Sequence, residues 1–171
     1  MKKLLTLFFI INSLFSFSQD IILELNKIEE EKFILDGVVS DQEIHEAKIL
    51  EVIYEEAPSF NTLPSQETIG FFTYSDKFLY VGVKAKRTKV IAPLTTRDNR
   101  AIWRGDFTGL AIDTYGDARN NVILNSNPSG SQSDAIRLPG IGFGGGPSVN
   151  SNVNYDFKSA GRVTEDGYEI E

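Results

Sequence analysis

The feature that most constrains this fold is the spacing of its apolar residues, which fall in short runs instead of following a helical stripe. No segment of the chain carries a sustained apolar pattern at the i, i+3, i+4, i+7 spacing of an amphipathic helix. Two runs rich in β-branched and aromatic residues, 68–74 and 78–85, are separated by a short polar stretch, which is typical of a β-hairpin. In the run 107–114, Leu110 and Ile112 fall on one face of a strand and Ala111 on the other.

The remaining candidate elements are also short and are separated by polar turns. Two turn sequences support this division, Asp36-Gly37 and the triplet Glu165-Asp166-Gly167 of a final hairpin. The pattern therefore predicts an all-β domain, a β-sandwich or jelly-roll-like fold with short helical turns. The further strands are predicted at 33–35, 49–54, 90–94, 122–124, 135–138, 162–163 and 168–170, and one helical turn at 42–47.

One stretch, 125–154, differs in composition from the rest of the chain. Of its 30 residues, 20 are Gly, Ser, Asn or Pro, which favours a long coil that serves as a binding loop or a mobile insertion. Gly140-Ile141-Gly142-Phe143-Gly144-Gly145 within it has the spacing G-x-G-x-x-G. No helix start follows, so backbone N–H groups are not predicted to meet a pyrophosphate, and a nucleotide partner is excluded.

Composition excludes several classes of function. The chain of 171 residues contains no Cys and a single His, which removes disulfides, thiolate metal sites, cysteine nucleophiles and His-cluster metal sites. The formal net charge is −7, and the chain lacks the clustered Lys and Arg residues with which a nucleic-acid binder neutralises phosphates. A Ser–His–Asp triad would have to use the only His, His45, but the chain has no G-x-S-x-G motif to carry the nucleophilic Ser, so no hydrolase triad is predicted.

The N-terminus has the pattern of a secretory signal peptide. Lys2 and Lys3 precede an apolar stretch that is too short and interrupted to span a membrane, and Ser16 and Ser18 are small residues before a cleavage site. The predicted organisation is a signal peptide at 1–18, a leader at 19–32 and a β domain at 33–171. Because the last three residues read as a strand in progress, we expect the domain to be cut short at the C-terminus. The predicted location is the periplasm, the outer membrane or the cell surface.

Five stretches in order resemble the family-9 carbohydrate-binding-module-like domain of secreted bacterial proteins. Each resembles one of the family's motifs: the opening "I-D-G…E…W", the strand "LYVGV", the pattern "RD…D…D-T-F-x-D-x-R-N", the pattern "N-P-x-G-x-x-x-D", and the closing strand. The matching stretches are 34–37, 78–83, 96–120, 125–134 and 163–171.

The resemblance implies a non-catalytic β-sandwich that binds polysaccharide or oligosaccharide and is connected with carbohydrate catabolism. It also implies that the domain leads a larger envelope protein, with a β-rich region of unknown function beyond it, for which an outer-membrane barrel is one alternative. The expected partners are a glycan and this downstream domain. Some members of the family are stabilised by calcium.

The chain departs from the family at its aromatic residues. Sugar-binding members clamp a sugar between aromatic faces, often tryptophans. This chain has one tryptophan, Trp103, and at the family's early Trp position it has His45 or a residue next to it. A second face would come from a Tyr or Phe, with Tyr74, Tyr115, Phe143 and Tyr155 as candidates.

Trp103 is the central candidate for ligand binding. Its indole is expected to stack on a sugar ring, while Arg97 and Asp98 bond hydroxyl groups in a bidentate way. The alternatives are a rim tryptophan that packs over the edge of the sandwich and a structural Arg–Asp pair. The full set of expected ligand-binding residues is Trp103, Arg97, Asp98, Tyr115, Asn125 and Asn127.

A series of acidic residues in turn-like stretches offers oxygen ligands for calcium, which takes six to eight oxygens. The alternative is that these residues are turn formers, since no D-x-[DN]-x-[DN]-G loop is present. The candidate metal ligands are Asp106, Asp113, Asp117 and Asp134.

These observations leave two hypotheses for function. The first is an exported carbohydrate-binding module, and the alternative is a structural or interaction domain of an outer-membrane-associated protein that has lost sugar binding. An enzyme is not expected, because no nucleophile and base are arranged for catalysis.

Overall fold

The computed structural model describes residues 24–52, 54–55, 60–117, 119–141 and 147–171, and it is built of two antiparallel sheets. The larger sheet has the strand order β1-β2-β3-β9-β8, and the smaller has the order β4-β5-β6-β7. The prediction of an all-β sandwich is confirmed. The strands are β1 (Lys48–Glu51), β2 (Thr68–Tyr74), β3 (Leu79–Lys86), β4 (Thr108–Ile112), β5 (Asn121–Ser126), β6 (Gln132–Ile141), β7 (Pro147–Asn150), β8 (Gly161–Val163) and β9 (Gly167–Ile170).

The predicted hairpins are present in the larger sheet. β2 pairs with β3 from Thr68 opposite Ala85 to Tyr74 opposite Leu79. β8 pairs with β9, which also pairs with β3, so β9 is an inner strand of the larger sheet and β8 an edge strand. β4 alternates as predicted, with Leu110 and Ile112 partly buried and Ala111 exposed.

Helical structure in the described residues is limited to short elements. Helix α1 (Asp41–Glu46) begins with a capping box, in which Ser40 Oγ accepts from Glu43 N and the Glu43 carboxylate accepts from Ser40 N. Two 3₁₀ helices span Glu30–Lys32 and Arg100–Arg104. None of the described helices has the length and apolarity needed to cross a membrane.

Two predicted strands are absent at 33–35 and 90–94. Ile34 N donates to the Glu43 carboxylate rather than to a neighbouring strand. In the second stretch Pro93 has no N–H to donate, and Ile91 bonds to Asp106 through both its N–H and its carbonyl. Both segments are therefore held by side chains and single backbone bonds instead of a ladder.

The stretch 125–154 is also more ordered than its composition predicts. β5 ends in it, and β6 and β7 occupy nearly half of it, with a bulge between Leu138 and Ile141. Small polar residues are accommodated there because several side chains bond to each other across strands, as Asn125 does to Ser133. Residues 142–146, which include most of the glycine-rich motif and Phe143, lie outside the described residues, as do the predicted signal peptide and residues 19–23.

Candidate functional site

The loop between β3 and β4 carries Trp103 on the 3₁₀ helix Arg100–Arg104. The Asn99 side chain caps this helix by accepting a hydrogen bond from Ala101 N at 2.9 Å. Ile102 is 0% exposed and points into the protein, whereas Trp103 is 53% exposed. The helix therefore presents the indole to solvent from a buried anchor, as a stacking platform requires.

Arg100 and Arg104 are the first and last residues of the helix that carries Trp103. Both are exposed, and the structure shows no ion pair between either guanidinium and another described residue. Each guanidinium is therefore available to donate hydrogen bonds to a ligand at this helix.

Asp106 closes the base of the loop. Its carboxylate accepts from Arg87 Nε and from Ile91 N, both at 2.8 Å, and its own N–H donates to the Ile91 carbonyl at 2.7 Å. Gly105 is needed beside it, because a Cβ at this position would lie 2.2 Å from the Ile91 oxygen. Asp106 thus fixes the loop that carries Trp103.

Arg97 is bound to Asp134 at the centre of a second network. Asp134 is 1% exposed, and one of its oxygens accepts from Arg97 Nε at 3.2 Å and Nη2 at 2.8 Å. Arg97 also donates to the Tyr155 carbonyl and lies over the Phe157 ring, 5.1 Å from its centroid. The other Asp134 oxygen accepts from Tyr155 N at 2.6 Å. The pair joins the segment before β8 to β6.

Asp98 takes part in the same network. Its backbone has a φ of 61°, a left-handed conformation that Asp tolerates better than most residues. Asp98 N donates to the Gln132 carbonyl, and Asp98 Oδ1 accepts from Asp134 N at 3.0 Å. Arg97 Nε lies 3.8 Å from Asp98 Oδ2, whereas the acidic partner that Arg97 binds most closely is Asp134, at 2.8 Å.

Asn125 and Asn127 lie inside the protein. Asn127 is 0% exposed; its amide donates to the Pro93 carbonyl, and its Oδ1 accepts from Ser129 N and Ser131 N. Asn125 is buried and donates to Ser133. Both amides hold turns and strands together, and neither is placed to meet a ligand at the surface.

Tyr115 lies in the turn between β4 and β5 and is 76% exposed. Asp113 shapes this turn by accepting from Tyr115 N and Gly116 N. Asp117 accepts from the N–H groups of Asn120 and Arg119, which lower the pKa of its carboxyl. Tyr115 is thus an exposed ring on a tight turn.

The four predicted calcium ligands each have separate protein partners. Asp106 binds Arg87, Asp134 binds Arg97, and Asp113 and Asp117 accept from backbone N–H groups of their own turn. Across the described part of the chain, no group of three or more acidic, His or Cys side chains is arranged to hold a metal ion.

Three buried carboxylates, those of Glu43 on α1, Glu169 on β9 and Glu171 directly after β9, were not predicted from the sequence. Glu169 accepts from Val39 N and Arg162, and Glu43 accepts from Ile34 N and Ser40 N. Glu171 accepts from Gly37 N at 2.6 Å and from Asp36 N at 3.1 Å. Together these carboxylates hold the segment 34–40 against the larger sheet. The one signal in the sequence is that Glu169 and Glu171 alternate with Tyr168 and Ile170.

Glu171 differs from Glu169 because it has no cation partner among the described residues. Burial raises the pKa of Glu171 to about 7, against the lowering effect of the hydrogen bond from Gly37, and the nearby Glu43 charge raises it further. Its Oε1 is buried without a hydrogen-bond partner in the described part of the protein.

A cavity of about 520 Å³ separates the two sheets. Its walls are mainly apolar and come from both sheets. They include Leu79, Val81 and Val83 of β3, Leu110 and Ile112 of β4, and Leu124 of β5.

The fold and the loop between β3 and β4 define a two-sheet β domain that exposes its one tryptophan, Trp103. Comparison with family models, curated proteins and solved structures found no match to this chain.

Proposed function

We propose that this chain is a non-catalytic glycan-binding domain that binds a saccharide on the indole of Trp103. The observation that carries the proposal is the contrast between the buried Ile102 and the exposed Trp103 on one capped 3₁₀ helix. A large aromatic face held rigidly in water is what stacking on the C–H face of a pyranose requires.

The polar contacts are assigned to the residues around Trp103. Arg100 and Arg104 are exposed beside it and are available to donate to hydroxyl or carboxylate oxygens. Asp98 is exposed, but one of its oxygens is used by Asp134 N. Arg97, Asn125 and Asn127 are removed from the proposed contact set because their donors already bond to other residues of the protein.

In this proposal the sugar stacks on the Trp103 indole alone and is not clamped between two aromatic side chains. Among the described residues, the aromatic pairs are Phe33 with Tyr80 and Phe78 with Tyr80, and neither includes Trp103. A single platform contacts one sugar unit, and polysaccharide is the proposed target because it presents such units many times along one chain. We also propose that the domain is exported and belongs to a larger envelope protein.

The test is a glycan array probed with the purified domain, followed by titration of the best ligand. Trp103→Ala is expected to weaken binding about tenfold or more, the size of one stacking contact. Tyr54→Ala is the matched control, since Tyr54 is also exposed but lies outside the loop. An array without ligands, or equal effects of the two substitutions, would contradict the proposal.

The alternative function is a structural or interaction domain that does not bind sugar. It is favoured by a specific observation: most of the polar residues predicted to contact a ligand make internal hydrogen bonds instead. In that case the domain keeps its thermal stability and its fold, and the glycan array shows no ligand.

A further inference from the structure

The loop between β3 and β4, residues 87–107, has a charge opposite in sign to that of the whole chain. It contains five Arg or Lys residues and two Asp residues, whereas the chain contains 17 basic and 24 acidic residues and has a formal net charge of −7. The loop that carries Trp103 is therefore a basic segment of an acidic chain. Its basic residues are Arg87, Lys89, Arg97, Arg100 and Arg104.

Both acidic residues of the loop are already bound within the protein. The Asp106 carboxylate accepts from Arg87 Nε at 2.8 Å, and Asp98 Oδ1 accepts from Asp134 N. Arg97 has its own anion, because it lies 2.8 Å from the buried carboxylate of Asp134. Three cations of the loop are exposed and form no ion pair with another residue of the described chain, namely Lys89, Arg100 and Arg104.

Two of these cations belong to the 3₁₀ helix that carries Trp103. In such a helix the side chains of residues three apart eclipse one another, and each residue adds about 2 Å along the axis. Arg100 therefore projects from the same side of the helix as Trp103, about 6 Å before it along the axis, and Arg104 directly follows Trp103. A group carried by a ring stacked on the indole is within reach of the Arg100 guanidinium.

We propose that the saccharide bound at Trp103 is acidic, a polysaccharide whose sugar rings carry carboxylate or sulfate groups. This inference rests on the proposed function and names the class of glycan that the site takes. A uronate carries its carboxylate directly on the pyranose ring. The ring can therefore stack on the indole while the carboxylate accepts two parallel hydrogen bonds from Arg100. The next acidic sugar of the polymer presents its anion to Arg104.

The charges of the loop favour this ligand over a neutral glycan. A hydroxyl group also accepts a hydrogen bond from a guanidinium, but a bond to an anionic oxygen is roughly twice as strong. The negative charge of the whole chain opposes non-specific binding of a polyanion to the rest of the surface. An acidic polymer is therefore held at the loop and not by the surface as a whole.

The test follows the fluorescence of Trp103, the only tryptophan of the chain, during titration with matched pairs of polysaccharides. The two members of a pair share a sugar backbone, and only one is charged. Polygalacturonate and alginate are compared with their methyl esters, and carrageenan with its desulfated form. At least one acidic polymer is expected to change the emission and to bind about tenfold or more tightly than its uncharged partner. The pairs also show which anion the site prefers.

Substitutions of arginine provide the second arm and leave the reporter in place. The double variant Arg100→Gln, Arg104→Gln is expected to bind the acidic polymer about tenfold or more weakly than the parent. The control is Arg119→Gln with Arg137→Gln, which removes the same charge from two exposed arginines. Arg119 shortly precedes β5 and Arg137 pairs with its first residue, so both lie at the opposite end of the smaller sheet from the loop. The control is expected to change affinity less than about twofold.

The outcomes separate this inference from the proposed function. Equal binding of charged and uncharged partners, or equal effects of the two double variants, would overturn the acidic class while the saccharide site at Trp103 stands. If none of these polymers and no glycan of the array binds, both fail. Binding to vesicles of equal parts phosphatidylglycerol and phosphatidylcholine, without binding to any acidic polysaccharide, would also overturn the inference, because the basic loop then meets a membrane surface.

Discussion

Ile102 and Trp103 are neighbours on one turn of 3₁₀ helix, yet Ile102 is 0% exposed and Trp103 is 53% exposed. The tight turn directs successive side chains to different sides, so one anchors the loop while the other faces solvent. This division separates stability from binding, and substitutions at the two positions should therefore have different effects.

The first prediction concerns stability. Ile102→Ala is expected to lower the free energy of unfolding by about 3 kcal/mol, because it removes a fully buried side chain and leaves a cavity. Trp103→Ala is expected to change it by less than about 1 kcal/mol, since much of the indole already contacts water. Urea denaturation of both variants measures this, and a larger loss for Trp103→Ala would show that the indole is a packing residue.

The second prediction concerns the pair Arg97 and Asp134. Asp134→Asn is expected to destabilise the domain by about 2 kcal/mol, because Tyr155 N and the partly exposed Arg97 guanidinium both lose a charged acceptor. Arg104→Ala is the control for loss of an exposed arginine and is expected to change stability by about 0.5 kcal/mol or less. If thermal denaturation shows equal effects, the pair does not hold the segment before β8.

The third prediction concerns pH. Burial raises the pKa of Glu171 to about 7 from an ordinary value of 4.5, so the folded state binds its proton more tightly than the unfolded state. The contribution of Glu171 to stability is therefore fully present below pH 4.5 and is lost as pH rises to about 7. At about 1.4 kcal/mol per pH unit, the loss is about 3 kcal/mol over this window.

Glu171→Gln tests this directly, because the amide cannot titrate but its oxygen can still accept from Gly37 and Asp36. Denaturation between pH 4.5 and 8 is expected to show a flatter pH profile for this variant and greater stability than the parent at pH 8. Glu165→Gln, in the exposed turn between β8 and β9, is the control and should keep the parent profile. Parallel profiles for parent and Glu171→Gln would contradict the assigned pKa.

The strands were predictable where the local sequence favours them. β4 follows the period of two in its burial, whereas β2 and β3 were predicted from their β-branched and aromatic residues and the polar turn between them. The last hairpin was predictable from its turn, because Glu165-Asp166-Gly167 is a typical turn sequence between two strands.

The polar interior was not predictable from the same pattern. Asp134, Asn127 and Glu171 are residue types that usually lie at the surface, and only their partners in distant segments make burial favourable. The bond from Gly37 to Glu171 joins residues 134 positions apart, which no local pattern reveals. The order within 125–154 arises from the same kind of side-chain bonding.

The fourth prediction concerns calcium. Because the four candidate carboxylates bind separate protein donors, millimolar calcium is expected to leave the melting temperature within about 1 °C of its value in chelator. Differential scanning calorimetry in the two conditions is the measurement. A calcium-dependent rise would show that carboxylates of this chain form a metal site, and Asp117→Asn would then test the turn between β4 and β5.

The fifth and most direct measurement is titration of the domain and of Trp103→Ala with the best ligand from the glycan array. The account predicts that the parent binds, that Trp103→Ala binds about tenfold or more weakly, and that its free energy of unfolding stays within about 1 kcal/mol of the parent's. Equal affinities for the parent and a folded Trp103→Ala would contradict the assignment of the indole as the saccharide platform.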